Sequence, residues 1–188
     1  MTEECREQTA SAVRGFRLPR YREIPEVGLY LEQTAKYLSE YLGGLMENGM
    51  TASMISNYVK KRLIESPRKK QYGREQIADL FFIAVMKSVL SLDDLKYFLG
   101  IQRETYPAER AYNYFCEELE NILAFVFALK EKPEEIGKDS SDEKLLLRSA
   151  IIAVSYKIYL EKCFDAMRAG AEAEEKRRER KKDDDTTA

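Results

Sequence analysis

Ser53, Asn57 and Lys60 follow one another at intervals of four and three residues, the spacing that sets side chains on one side of a helix. Together they offer a hydroxyl, a carboxamide and an ammonium, groups that reach base edges and phosphates in a DNA major groove. Asn57 suits adenine in particular, because a carboxamide both donates to and accepts from that base's major-groove edge. The surrounding stretch is basic. From Thr51 to Arg74 there are seven basic residues (Lys60, Lys61, Arg62, Arg68, Lys69, Lys70 and Arg74) and one acid, Glu65, a local balance of +6 in a protein of net charge −2. Ser53, Ser56, Asn57 and Lys60 are therefore expected to read bases. Thr51, Lys61, Arg68, Lys69, Lys70, Tyr72 and Arg74 are expected to contact phosphates.

Other chemistry finds little to work with. The chain has no histidine, which removes Ser–His and Cys–His dyads, most zinc hydrolase sites and the Glu-x-x-His di-iron pattern. No glycine-rich loop matches a nucleotide motif. Glu117, Glu118 and Glu120 share one predicted helix and read as a solvated face. Cys5, Cys116 and Cys163 are scattered, odd in number and without CxxC spacing, so they read as reduced thiols. No catalytic residue, cofactor or metal is expected, and the chain is not expected to be an enzyme.

Presenting the polar face takes a helix with a defined start. Thr51 is the expected N-cap of a recognition helix over about 52–63, with Ile55 and Val59 packing inward, flanked by Tyr58 and Leu63. Before it, a longer helix is expected from about Gly28 to Glu47, on a stripe of Leu31, Ala35, Leu38, Leu42 and Leu45. Tyr30, Tyr37 and Tyr41 lie beside that stripe and suit packing at its rim. Gly43-Gly44 weakens its last turn and Asn48-Gly49 marks a turn. Helix, short glycine-bearing turn, second helix with a polar face: this is the helix-turn-helix plan. After the recognition helix, Pro67 argues against further helix. Lys69 to Tyr72 paired back to Ile64 would make a small hairpin, a basic wing over 65–72. Residues 74–89 carry the strongest apolar pattern and are expected to form the central helix. Ser91 caps a short helix with Asp94 at its third position and Gly100 as its stop.

The order Thr51, Ile55, Tyr58, Leu63-Ile64, basic loop, Tyr72, Ile77-x-x-Leu80-x-x-Ile83 and Ser91-Leu92-x-x-Leu95-x-x-Phe98-Leu99 resembles the MerR family of winged helix-turn-helix regulators. This chain has Ser56-Asn57-Tyr58 where that family commonly has Arg-Tyr-Tyr, Arg62 in place of a glycine before the apolar pair, and Lys70 in place of the wing arginine. More specifically, Leu18-Pro19-Arg20, Ile24-Pro25, Leu29-Tyr30 and Ser56-Asn57-Tyr58-Val59-Lys60 are similar to a bacterial domain-of-unknown-function family, DUF1836. That resemblance implies a winged-helix-like fold and supplies no activity.

The flanks complete the expected organisation. Residues 1–15 lack periodicity and are expected to be disordered. Phe16 to Val27 holds two prolines and five large apolar residues. It reads as an irregular strap lying on the domain, or as an arm whose Arg17, Arg20 and Arg22 touch phosphates. Beyond a DNA-binding domain over 16–100, a helical hairpin is expected over 106–170, with helices near Pro107 to Lys130 and Glu143 to Met167 around a Pro/Gly/Ser-marked linker. The second helix shows two apolar stripes: Leu147, Ile151, Val154 and Ile158 form one; Ile152, Tyr156, Tyr159, Cys163 and Met167 form the other. Two stripes need two partners, so a homodimer through these helices is expected, with packing inside one chain as the alternative. The tail, 171–188, alternates blocks of charge and is expected to be a frayed continuation of the last helix followed by disorder, with KRRERKK available to phosphates.

Hydrophobic residues at 44% suffice for a core, and the longest apolar run, Ile122 to Leu129, is too short to cross a bilayer. With no secretory signal at the start, a soluble cytoplasmic protein is expected. The fold class is then all-α: a MerR-like winged helix-turn-helix domain with a small basic β-hairpin, followed by a helical hairpin. The expected function is a transcriptional regulator that binds double-stranded DNA in a sequence-specific way. The alternative is a non-enzymatic protein-interaction module on the same scaffold.

Overall fold

The computed structural model describes residues 3–46, 49–137 and 141–186, with side chains over 7–46, 49–137 and 141–173 and at Lys176. Asn48 of the expected Asn48-Gly49 turn, residues 138–140 of the linker, the Cys5 thiol and the basic side chains of 177–182 lie outside that description. The chain is mostly helical. In order it forms α1 (Glu3–Ser11), a 3-10 turn (Tyr21–Glu23), β1 (Leu29–Tyr30), α2 (Leu31–Leu42) and α3 (Ala52–Lys60). Then come β2 (Gln71–Tyr72), α4 (Arg74–Met86), α5 (Leu92–Thr105), α6 (Ala108–Val126) and α7 (Asp142–Thr186). Among the described residues no helix is long and apolar enough to cross a membrane.

Helix α4 is central because its sequence allows nothing else. Every residue from Ile77 to Met86 is buried, since this run is apolar on all sides apart from Asp79 and needs neighbours on each. Helices α2, α5, α6 and α7 supply them. An aromatic layer binds the ring together: Tyr37 and Tyr41 meet Phe81 edge-on, and Phe82 meets both Phe98 and Phe115. One continuous core runs from Val13 through α4 to Ile158 in α7. The expected division between 16–100 and 106–170 therefore carries no break in packing.

Several expectations are corrected. Residues 29–30 form a strand, not the first turn of α2, because β1 pairs antiparallel with β2, Leu29 opposite Tyr72 and Tyr30 opposite Gln71. The expected hairpin between Ile64 and 69–72 does not form, since Ile64 is buried in the core and β2 finds its partner about forty residues upstream. Gly100 does not stop α5, which ends at Thr105 just before Pro107; one glycine costs about 1 kcal/mol in a helix whose other contacts carry it. The expected disorder of 1–15 gives way to α1, whose Thr9 and the following Val13 are buried where α1 packs on α7. The tail is likewise helical to Thr186, as its Ala, Glu, Lys and Arg content favours. The Ser91–Asp94 capping box forms as expected: Ser91 Oγ accepts from Asp94 N at 3.1 Å, and Asp94 Oδ2 accepts from Ser91 N at 3.3 Å.

The segment from Phe16 to Val27 lies on the domain as the expected strap. Leu18 and Ile24 are fully buried, and each strap arginine is matched within the chain. Arg20 makes a two-pronged pair with Glu120, 2.7 Å at each nitrogen, Arg17 pairs with Glu23 at 2.9 Å, and Arg22 with Glu109 at 2.7 Å. The Glu117–Glu120 face is also less solvated than expected. Glu118 is fully buried against α7, with Arg148 Nη1 3.2 Å away, and only Glu117 is open to solvent.

The other buried acid generates a pH dependence. Burial pushes the Asp79 carboxyl up to about 6, with Arg103 pulling the other way. Its proton is therefore held more tightly folded than unfolded, so stability falls as pH rises from about 4 to 6, by roughly 2–3 kcal/mol in all. Asp79→Asn keeps an acceptor for Arg103 and cannot ionise. Urea midpoints at pH 4, 5, 6 and 7 are expected to show the variant gaining on the parent across that window; parallel profiles would refute the assignment.

Candidate nucleic-acid interface

Helix α3 is fixed at both ends. Thr51 Oγ1 accepts the Met54 N–H at 3.2 Å, the cap its position predicts. At the other end Leu63 N donates to Tyr58 O and Arg62 N to Val59 O, both at 2.9 Å, with Arg62 left-handed at φ 55°. These two bonds are a Schellman closure, whose turning residue is usually glycine. Arg62 thus occupies a left-handed position that ordinarily selects glycine. Between the caps Ile55 and Tyr58 are buried; Ser53, Asn57 and Lys60 are exposed and Ser56 is half-exposed. The four expected base-reading side chains thus share the free side of one short helix.

The basic loop closes more tightly than a wing of 65–72 would. Gln71 N donates to Arg68 O at 2.9 Å across Lys69 and Lys70, whose φ angles are 50° and 66°. Two successive positive φ values define a type I′ turn, which ordinarily selects Asn-Gly. Here two lysines occupy it, both exposed. Gln76 anchors the loop from behind: its Nε2 donates to Glu65 O at 2.8 Å and its Oε1 accepts from Gly73 N at 2.9 Å. From the front, β1 lies so close that a Cβ on Gly28 would sit 2.8 Å from Gln71 Cβ.

Lys60, Lys61, Arg62, Arg68, Lys69 and Lys70 are all exposed, and among the described residues none has an ion-pair partner. Two expected phosphate contacts point elsewhere. Tyr72 is buried in the core, and the Arg74 Nε donates to Ile24 O at 2.9 Å with its guanidinium over the Tyr21 ring. The pairing of β2 with β1 turns this end of the segment inward. Sequence reasoning in turn left Arg62 out of the site. The signal was present, a cation just past the helix on a position that calls for glycine.

A separate cavity of about 580 Å³ opens between α5, α6 and the start of α7, beside Phe98, Tyr106, Tyr114 and Leu147. Its lining comes from three helices, so no single stretch announced it. Among the described residues no group of three His, Cys, Asp or Glu side chains is placed to hold a metal ion.

The left-handed positions give a stability test. Arg62→Gly is expected to stabilise the fold by about 1 kcal/mol, read as a higher urea midpoint, because glycine adopts that φ without strain. Gly28→Ala is expected to destabilise by about 1–3 kcal/mol through its clash with Gln71. An unchanged midpoint in either variant would argue against the corresponding geometry.

No curated protein and no solved structure matches the chain. One family does: the family described as "Domain of unknown function (DUF1836)" matches residues 19–115, a little over half of the chain, from the strap through α6 to Phe115. That span contains β1, the capped helix, the lysine turn and the central helix, and on it the chain belongs to the DUF1836 family.

Proposed function

We propose that the protein is a sequence-specific DNA-binding regulator with a winged helix-turn-helix core of MerR type. Helix α3 enters the major groove and the Lys69–Lys70 turn lies against the phosphate backbone. The observation that carries this reading is the pairing of a capped, outward polar face with six exposed, unpartnered cations in a chain of net charge −2. A solvated face has no need of such a concentration, whereas a polyanion is held by it. The element order β1–α2–α3–β2–α4–α5 supports the winged reading, because β1 braces the turn beside α3 as a wing is braced. Ser53, Ser56, Asn57 and Lys60 read bases. Thr51, Lys61, Arg62, Arg68, Lys69 and Lys70 meet phosphates; Tyr72 and Arg74 support them from inside. The protein acts as a homodimer, as two-fold readers do.

A second reading has its own observation. An apolar row on α7 is exposed, which suits a protein-interaction module on the same scaffold.

Duplex binding as a function of salt separates the two. Each cation on a phosphate is expected to add about 0.9 to the slope of log K against log salt. Lys69→Asn with Lys70→Gly is expected to flatten that slope by nearly 2 while raising stability by about 1–2 kcal/mol, since Asn-Gly fits the turn. Asn57→Ala is expected to relax base preference at one position by about 1–3 kcal/mol with the slope unchanged. Weak, equal binding to all duplexes, indifferent to these substitutions, would favour the interaction module.

A further inference from the structure

Helix α7 packs on α4, α6 and α1, and Cys163 of the second expected stripe is buried together with Ala166. Leu147, Ile151, Val154 and Ile158 are buried in the core, while Leu145, Ile152, Tyr156, Leu160, Phe164 and Met167 are 37–65% exposed. At 3.6 residues per turn those six fall within roughly a third of the helix circumference, opposite the buried row. This is a seam without a second helix.

Its spacing says what kind of helix fits. Counted from Tyr156, large apolar residues stand four places away on either side (Ile152 and Leu160) and eleven places away on either side (Leu145 and Met167), while the sixth, Phe164, is mirrored by Arg148. A row symmetric about one residue is self-complementary when two copies run in opposite directions about a two-fold axis. Leu145 then meets the partner's Met167, Ile152 meets the partner's Leu160, and Tyr156 meets itself on the axis. Antiparallel pairing sets the two helix dipoles head to tail, which parallel pairing does not. Six large apolar side chains per copy, spread over roughly 33 Å of helix, supply the dry centre of an interface of about 800 Å² a side.

We infer that α7 pairs antiparallel with α7 of a second copy of this chain, about a two-fold axis at Tyr156. The inference rests on the homodimer part of the proposed function and not on DNA binding. The seam lies wholly outside residues 19–115, so the family match does not supply it.

Cysteine pairs read both the existence and the direction of the seam. In a Cys5→Ser, Cys163→Ser background, Ile152→Cys combined with Leu160→Cys is expected to give an inter-chain disulfide under mild oxidation. The product runs at twice 21.8 kDa on a non-reducing gel. Within one chain those two positions are about 12 Å apart along the helix, too far to bridge. Ile152→Cys alone is expected to stay uncrosslinked, because its own copy lies two turns away. Crosslinking by that single variant would mean a parallel seam and would overturn the inference, as would no crosslinking by the pair. So would a parent chain sedimenting as a 21.8 kDa monomer at micromolar concentration. Tyr156→Arg places two like charges on the axis and is expected to weaken dimerisation at least tenfold with an unchanged circular dichroism spectrum; undiminished dimerisation overturns the axis. A protein that crosslinks as expected yet ignores DNA would count against the proposed function and leave the seam standing.

Discussion

A helix that is apolar on nearly every side must be walled in before it can exist, and α4 imposes that condition on this chain. Its buried run from Ile77 to Met86 holds seven large side chains besides Ala78, Asp79 and Ala84, each large one worth roughly 1.5–3 kcal/mol against exposure. The strap, α2, α5, α6 and α7 take the places they do because α4 has those sides to cover. The site depends on the same helix. Its first turn begins directly after β2, and Gln76 on that turn holds the loop carrying Lys69 and Lys70. A shift of α4 would move the lysine turn with it.

Backbone strain collects at the surface that carries the cations. Among the described residues four non-glycine side chains have positive φ, and three of them are Arg62, Lys69 and Lys70. Each such residue costs on the order of 1–3 kcal/mol that glycine or asparagine would largely avoid. The chain also leaves those cations unpaired while it matches Arg17, Arg20, Arg22, Arg103 and Arg148 with carboxylates. On the proposed reading, these strained and unpaired charges are where an external polyanion meets the protein.

Much of the fold was legible because its signals are local. The Thr51 cap, the Ser91–Asp94 box, the inward and outward sides of α3 and the all-round apolar character of 77–86 each depend on residues within a few positions of one another. The candidate base-reading face was legible for the same reason, since Ser53, Asn57 and Lys60 keep their helical spacing whatever surrounds them. The strap was legible from Leu18 and Ile24, which are too apolar to be left in water and are indeed buried. Patterns of this kind are set by backbone geometry and capping, which neighbours in sequence control.

What the amino-acid sequence determined by itself is thus the set of helices, their caps and which side of each seeks the core. Tertiary structure alone decided the rest. Only the pairing of Leu29–Tyr30 with Gln71–Tyr72 turned Tyr72 and Arg74 inward, left no room for a side chain at Gly28 and tightened the basic loop into a two-residue turn. Only the packing of α7 on α6 buried Glu118 and left the row centred on Tyr156 in the open. The reason is physical: a strand partner or a buried charge is chosen by segments scores of residues away, whose meeting depends on how the whole core closes around α4.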